Sequence, residues 1–157
     1  MAETQLVVFA LGGGQYAAPI NRVREILRPV RVTRMPRTAS FVRGLFNLRG
    51  QVLPLIDTKA RMGMPSAPAP APGAKDGKAR VMVVDAGGES VGLMVDEVME
   101  VLRCDEQALQ APTNVLNLPA GRFLSAVLDL EGRLILALDL ESLVAGAAGS
   151  ESAAAVG

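Results

Sequence analysis

Histidine and tryptophan are absent from this chain of 157 residues, and there is one cysteine, Cys104. Without imidazole the chain cannot form a Ser-His-Asp or Cys-His catalytic site or a histidine metal ligand. A single thiol excludes an internal disulfide framework and is typical of a reducing cytoplasm. The adjacent carboxylates of Asp96-Glu97 and Asp105-Glu106 would point to opposite faces of a strand, which makes them poor acid–base partners. We therefore expect a protein that is not an enzyme and needs no metal and no cofactor.

Aromatic residues are also scarce, since four Phe and one Tyr stand in a chain that is 50% hydrophobic. The core must be built from aliphatic side chains, as is usual for small β-barrels. The uncharged stretch at residues 4–21 contains Gly12–Gly14 and Pro19, which favour a strand-turn-strand over a membrane helix. The N-terminus lacks the basic region of a signal peptide. These features predict a cytoplasmic protein without membrane insertion.

The most informative run is Phe41–Asp57, FVRGLFNLRGQVLPLID. It predicts two β-strands, Phe41–Leu48 and Gln51–Ile56, joined by a tight turn at Arg49-Gly50, where glycine supplies a positive φ. The same layout returns 82 residues later in Phe123–Asp139, FLSAVLDLEGRLILALD. Phe, Leu, Gly and Asp recur in the same order, which indicates a duplicated β unit.

A second repeated segment precedes the first in each half. Val7–Leu27 maps onto Met82–Leu102 at a constant offset of 75 residues, with Glu25 on Glu100 and a pair of glycines in both. Each half then consists of a strand, a glycine turn, a strand, a short strand or helix, and a closing hairpin. About five short strands per half predict two small closed barrels, because closure hides the sheet edges. Helical segments are expected only near residues 21–27, 58–62 and 139–143.

Two low-complexity segments lie outside these strands. Residues 63–79, GMPSAPAPAPGAKDGKA, separate the repeats, and their four prolines predict an extended, solvated spacer. The alanine-rich end of the chain, residues 147–157, predicts a disordered tail. The length of the chain fits one domain or two closely packed subdomains.

Charge is distributed unevenly although the net charge is zero. Residues 20–63 carry ten Arg or Lys against Glu25 and Asp57, a net of +8, whereas residues 81–157 carry three Arg against twelve acids, a net of −9. Three interpretations are open. In the first, the uneven charge belongs to a solvated surface and has no role. In the second, it marks a module that binds partners of opposite charge, including related modules head to tail. The third, a nucleic-acid patch, lacks aromatics outside strand positions for bases to stack on.

These motifs resemble the CheW family, the bacterial chemotaxis coupling proteins, together with their relatives at the end of chemotaxis histidine kinases. The resemblance covers about residues 4–146 as one CheW-like domain. It is most specific in three stretches, LVVFALGGGQYAAPINRVREIL, TRMPRTASFVRGLFNLRGQVLPLIDT and VGLMVDEVMEVL. It implies an all-β fold of two intertwined five-stranded barrels, similar to SH3 domains, with short helices.

The resemblance also implies a function as an adaptor. Such proteins bind the cytoplasmic tip of a methyl-accepting receptor and the regulatory domain of the histidine kinase, and these partners recruit them to membrane receptor arrays. Arg49 matches the arginine that serves receptor coupling, and Glu25 matches the acid that pairs with it. The positions that match a receptor-binding groove between the barrels are Val23, Gly44, Gly92, Val98 and Val101. The alternative is a stand-alone small-barrel module that binds nucleic acid or another oligomer.

Overall fold

The computed structural model of the protein describes residues 2–65, 70–74, 77–113 and 120–147. The strands in these ranges are β1 Glu3–Leu11, β2 Gly14–Pro19, β3 Val23–Leu27, β4 Val42–Leu48, β5 Gln51–Ile56, β6 Arg80–Ala86, β7 Glu89–Val95, β8 Glu97–Asp105, β9 Leu124–Leu130 and β10 Arg133–Leu138. The α-helices are α1 Thr58–Arg61 and α2 Leu140–Val144, and single 3₁₀ turns span Ile20–Arg22, Glu106–Ala108 and Gly121–Phe123. No helix in the described ranges is long and apolar enough to cross a membrane.

The strands form two five-stranded sheets that exchange strands between the sequence repeats. The first sheet has the order β8-β1-β2-β10-β9, and the second has the order β3-β6-β7-β5-β4. Each sheet takes two neighbouring strands from one repeat and three from the other, so the two halves are intertwined. One pair in each sheet is parallel, β2 with β10 and β5 with β7, and the other pairs are antiparallel. The prediction of two intertwined five-stranded units is confirmed.

Strand register reproduces the offset of 75 residues seen in the sequence. On β8, Val98 lies opposite Phe9 of β1, and on β3, Val23 lies opposite Val84 of β6. Each residue of the second pair is the repeat counterpart of one in the first. Both ladders then shift register at the next residue of the edge strand, as a β-bulge does. The two sheets are therefore copies of one framework.

Apolar side chains separate into three cores because β1 and β6 are buried on both faces. Leu6 and Val8 belong to the core of the first sheet, and their counterparts Val81 and Val83 belong to the core of the second. Alternate residues of the same strands, such as Phe9, enter a central core between the sheets. All five strands of each sheet contribute to its own core, so each sheet curls into a small barrel.

The helices follow the closing hairpins, and each begins at the aspartate that ends the repeated motif. Asp57 Oδ1 accepts a hydrogen bond from Ala60 N at 3.1 Å, and Asp139 Oδ1 accepts one from Ser142 N at 3.3 Å. These side chains cap α1 and α2 by satisfying amides that have no partner within the helix. The helices predicted near residues 58–62 and 139–143 are confirmed.

The helix predicted near residues 21–27 is wrong for most of that segment. Only the 3₁₀ turn Ile20–Arg22 is helical, and Val23–Leu27 forms strand β3. The β-branched Val23 and Ile26 favour extended backbone, and the ladder with β6 gives this short segment hydrogen bonds that a single helical turn could not match. Tertiary pairing thus decides the conformation.

The described parts of the linker are mostly exposed, as expected for a solvated spacer. One backbone hydrogen bond, from Gly73 N to Pro29 O at 2.7 Å, holds this segment against the second barrel. At the other end, Ala147 is buried in the central core although the sequence placed it in the tail. The rest of the predicted tail, 148–157, lies outside the described residues.

Candidate partner-binding site

The hairpin of β4 and β5 turns at Arg49 and Gly50, which have positive φ of 50° and 88°. Two successive positive φ values are typical of a type I′ turn, whose twist matches that of the flanking strands. Asn47 Oδ1 accepts a hydrogen bond from Gly50 N at 2.9 Å and fixes the turn. The repeat counterpart Glu131 has the same conformation, with φ 53°. The turn geometry is therefore shared by both hairpins, and the charge at the tip is what distinguishes Arg49.

The guanidinium of Arg49 reaches β3 and forms a two-point ion pair with Glu25. Nη1 donates to Oε1 at 3.1 Å, and Nη2 donates to Oε2. The side chain of Arg49 is 67% exposed and that of Glu25 is 25% exposed. The hydrogen bond from Arg49 is the main reason that the pKa of Glu25 lies below its ordinary value, and the charge of Arg24 adds to the effect. The pairing predicted from the sequence is confirmed, and it leaves the arginine accessible.

Further polar contacts tie β3 to the neighbouring strands at this end of the second barrel. Arg24 Nη1 donates to Ser90 Oγ at 2.8 Å and to Gln51 Oε1 at 3.3 Å. Ser90 Oγ in turn donates to Asp85 Oδ1 at 2.6 Å. The strand that carries Glu25 is thus connected to β5, β6 and β7 by side chains as well as by its ladder. This network gives the Arg49–Glu25 pair a fixed support.

The three candidate valines occupy different environments. Val23 and Val98 are half-buried and pack against the central core. Because that core lies between the sheets, both valines lie at the junction of the two barrels. Val101 is exposed on β8, so the structure does not place it in the same packing layer.

The two candidate glycines are buried, and each permits a close approach of its neighbours. A Cβ at Gly92 would lie 2.7 Å from the ring of Phe46, and a Cβ at Gly44 would lie 2.4 Å from the carbonyl oxygen of Thr33. Gly44 also has a φ of 151°, which disfavours a side chain. Both glycines therefore allow close packing inside the second barrel, and because they are buried they offer no surface to a partner.

The repeat relates Val101 to other exposed apolar side chains that sequence reasoning missed. Ile26 and Val52 are exposed on the second sheet, and Val101 and Leu134 are exposed on the first. Ile26 and Val101 differ by the 75-residue offset, and Val52 and Leu134 differ by the 82-residue offset. The offsets themselves were the signal that could have found this set. The duplicated framework thus exposes an apolar side chain at the same two positions in each barrel.

Arg61 is a second residue that sequence reasoning missed. Its guanidinium carbon lies 4.2 Å from the ring centre of Phe41 and 4.7 Å from that of Phe123, the first residues of the two repeated hairpin motifs. Its Nε donates to Leu143 O at 2.8 Å, at the end of α2. Burial, and secondarily the charge of Arg122, lowers the pKa of Arg61. Arg61 joins the two repeats, and no pattern pointed to it because its counterpart in the other repeat is Leu143.

The duplicated five-stranded sheets and their matching hairpin turns agree with comparisons to known proteins. The CheW-like domain model matches residues 5–148. The chain belongs to the CheW family. Among its relatives, the probable chemotaxis protein CheW of Rhizobium etli is 32% identical over 143 residues, which cover 90% of this chain and 87% of the relative. The chemotaxis protein CheW of Rhizobium meliloti is 32% identical over 139 residues, which cover 88% and 86%.

A solved structure agrees with the assignment to the CheW family. The crystal structure of the scaffolding protein TtCheW from Thermoanaerobacter tengcongensis matches with a TM-score of 0.80 and 30% identity. The match covers 92% of this chain and 94% of that one. The two curled sheets are thus the SH3-like β fold of CheW proteins, in agreement with the fold expected from the sequence.

Proposed function

We propose that this CheW-family chain is a non-catalytic adaptor that couples methyl-accepting chemotaxis receptors to a histidine kinase. The names of its relatives, which are chemotaxis proteins, and of its solved neighbour, a scaffolding protein, support this proposal. One surface binds the cytoplasmic tip of the receptor, and another binds the regulatory domain of the kinase. These partners recruit the adaptor from the cytoplasm to receptor arrays at the membrane.

The observation that carries the proposal is the exposed Arg49–Glu25 pair. The type I′ turn and the polar network of β3 hold the arginine in one place, so little freedom is lost when a partner binds. A helical receptor tip presents apolar side chains beside charged ones. Val23 and Val98 at the junction of the barrels suit the apolar side chains, and Arg49 suits an acceptor group next to them. The receptor surface would thus combine an apolar groove with one fixed cation.

The uneven charge supports a second surface for the kinase. The +8 segment, residues 20–63, lies mainly in the second barrel, whereas the −9 segment includes β8, β9 and β10 of the first. Partners of complementary charge, including the kinase regulatory domain and related CheW-like modules, would be steered toward opposite barrels. Steering acts mainly on the association rate, while apolar contacts hold the complex together.

A nucleic-acid module, the alternative function, has less support. Phe41 and Phe46, the aromatics within the basic segment, are 8% and 3% exposed, so neither ring offers a stacking surface for bases. The acidic first barrel would also repel a long phosphate backbone. We therefore retain the adaptor as the proposed function.

The test is Arg49→Ala, measured for binding to a receptor cytoplasmic fragment and, separately, to the kinase. Exposed ion pairs contribute little to stability, so the melting temperature should change by no more than about 2 °C. Receptor affinity should fall at least about tenfold, because both the cation and the orientation of Glu25 are lost. Kinase affinity should stay within about twofold.

Arg103→Ala is the matched control, since it removes one exposed arginine from β8 and should leave both affinities unchanged. A folded Arg49→Ala protein with unchanged receptor affinity would exclude the assigned role of the turn. A variant that unfolds would show instead that the arginine is structural.

A further inference from the structure

The connection between β3 and β4 carries four arginines at intervals of three residues, Arg28, Arg31, Arg34 and Arg37. All four side chains are exposed. Among the described residues, none of the four has an ion-pair partner, whereas Arg22, Arg43, Arg49 and Arg133 each have one. We term residues 28–37 the arginine strip. It is a row of cations whose charge the described part of the chain does not neutralise.

The arginine strip is anchored on the second barrel. Val30 and Val32 pack against the core of that barrel, and Pro29 is buried. Thr33 N donates to Leu45 O and Leu45 N donates to Thr33 O, both at 2.8 Å. The side chains on one side of the strip are thus held in the protein, and those on the other face solvent. The conformational entropy of this backbone is therefore lost when the protein folds, and little more is lost when a partner binds.

The spacing of the arginines selects the shape of the partner. In a polyproline II helix three residues complete one turn and span about 9 Å, so side chains at every third residue lie on one face, whereas in a strand they would alternate between faces. A partner segment in this conformation with an acid at every third residue would meet Arg28, Arg31 and Arg34, while Arg37 follows in a turn with a positive φ of 64°. At the end of the strip, Arg34 and the exposed Met35 line an open cleft of about 460 Å³ together with Ser40. The cleft offers one place for a side chain of the same segment.

We propose that the arginine strip is a docking surface for an extended acidic segment of a partner protein. Guanidinium groups form two-point hydrogen bonds with carboxylates, which gives geometric selection as well as charge attraction. A nucleic acid fits less well, because the strip has no exposed aromatic ring and because the −9 segment would repel a long polyanion. The proposal needs neither the receptor nor the kinase, and it stands apart from the role of Arg49.

The experiment uses the full chain and a fluorescent peptide of four Glu-Ala-Ser repeats at low salt, with binding read by anisotropy. A second peptide has the same composition with its four glutamates in one block. The spaced peptide should bind more tightly than the block peptide. Substitution of the four strip arginines by glutamine should weaken binding of the spaced peptide at least about tenfold.

The control removes the same charge elsewhere by Arg22→Gln, Lys78→Gln, Arg103→Gln and Arg122→Gln, and it should retain binding within about threefold. Thermal unfolding of both variants checks that each is folded. Equal loss of binding in both variants would show that net charge alone attracts the peptide and would overturn the proposal. Absence of binding by the spaced peptide, or tighter binding of an oligothymidine of equal charge, would overturn it as well.

Discussion

The two barrels share strand order, bulges and hairpin turns, but they differ in where they place charge. In the second barrel Glu25 of the edge strand pairs with Arg49 at the hairpin tip, and in the first barrel its counterpart Glu100 pairs with Arg133 on β10. The tip of the first barrel carries Glu131 in place of Arg49, at the same backbone conformation. Each barrel thus has a glutamate–arginine pair at its edge strand, whereas the turn residue is a cation in the second barrel and an anion in the first. A duplicated framework can therefore support two surfaces of opposite sign.

The barrels differ also in how closely the closing hairpin packs against the chain segment that precedes it, which contains Thr33 in the second barrel and Gln110 in the first. Thr33 exchanges two backbone hydrogen bonds with Leu45 in the second barrel, and Gln110 does so with Val127 in the first. The neighbouring residue is Gly44 in the second barrel and Ala126 in the first, at the 82-residue offset. The arginine strip therefore approaches its hairpin at a distance that a methyl group would not permit.

The largest expected effect comes from Gly44→Ala, which gives the second barrel the residue of the first. The new Cβ would lie 2.4 Å from Thr33 O, and φ of 151° is strained for alanine. Overpacking and backbone strain together should lower the free energy of unfolding by at least about 3 kcal/mol. Urea denaturation measures this loss. The reverse change, Ala126→Gly, should cost only about 1 kcal/mol, and equal costs for both variants would contradict this asymmetry between the barrels.

A smaller loss is expected from Arg61→Met, which removes the side chain between the two repeats. The variant loses two cation–π contacts and hydrogen bonds from a charged donor to three backbone carbonyls. The free energy of unfolding should fall by about 2–4 kcal/mol, and the melting temperature by roughly 5–15 °C. Arg122→Met removes a contact with one ring and should cost less than about 1 kcal/mol. A loss for Arg61→Met no larger than that of the control would show that it does not join the barrels.

The third test exchanges a core pair between the barrels. Phe46 and Gly92 pack together in the second barrel, and the offsets relate them to Leu128 and Ala17, both in the core of the first. Gly92→Ala alone should cost about 1–3 kcal/mol, because its Cβ would meet the ring of Phe46 at 2.7 Å. Adding Phe46→Leu should recover about 1 kcal/mol or more relative to the sum of the single changes. Strict additivity in this double-mutant cycle would mean that the two positions do not compensate each other. Gly77→Ala, where a Cβ has open space, is the control.

Much of this fold could be predicted from the sequence because it depends on repetition. The two offsets located the hairpins and the turn at Arg49, and the resemblance to the CheW family supplied the pairing of that residue with Glu25. The failure at residues 21–27 has a physical cause, since a five-residue segment takes its conformation from the ladder with β6 and not from local propensity. Arg61 and the close approach at Gly44 depend on contacts between distant segments, which no local pattern encodes.

The smallest expected effect is a change in the pKa of Glu25. It should depend on the residue at the tip of the second barrel and not on the residue at the tip of the first. The hydrogen bond from Arg49 favours the charged carboxylate and lowers the pKa of Glu25. Because the pKa is lower in the folded state, the stabilising contribution is present above the ordinary value of about 4.3 and is lost as pH falls through the folded value. The change in stability should be small, since exposed pairs are screened by solvent. Carbon-13 NMR of the Glu25 carboxyl should therefore give a midpoint below that of an ordinary glutamate, and Arg49→Ala should raise that midpoint toward the ordinary value. Glu131→Ala, at the other tip, should leave it unchanged. A midpoint that does not respond to Arg49→Ala would mean that the arginine does not hold the charge of Glu25 in solution.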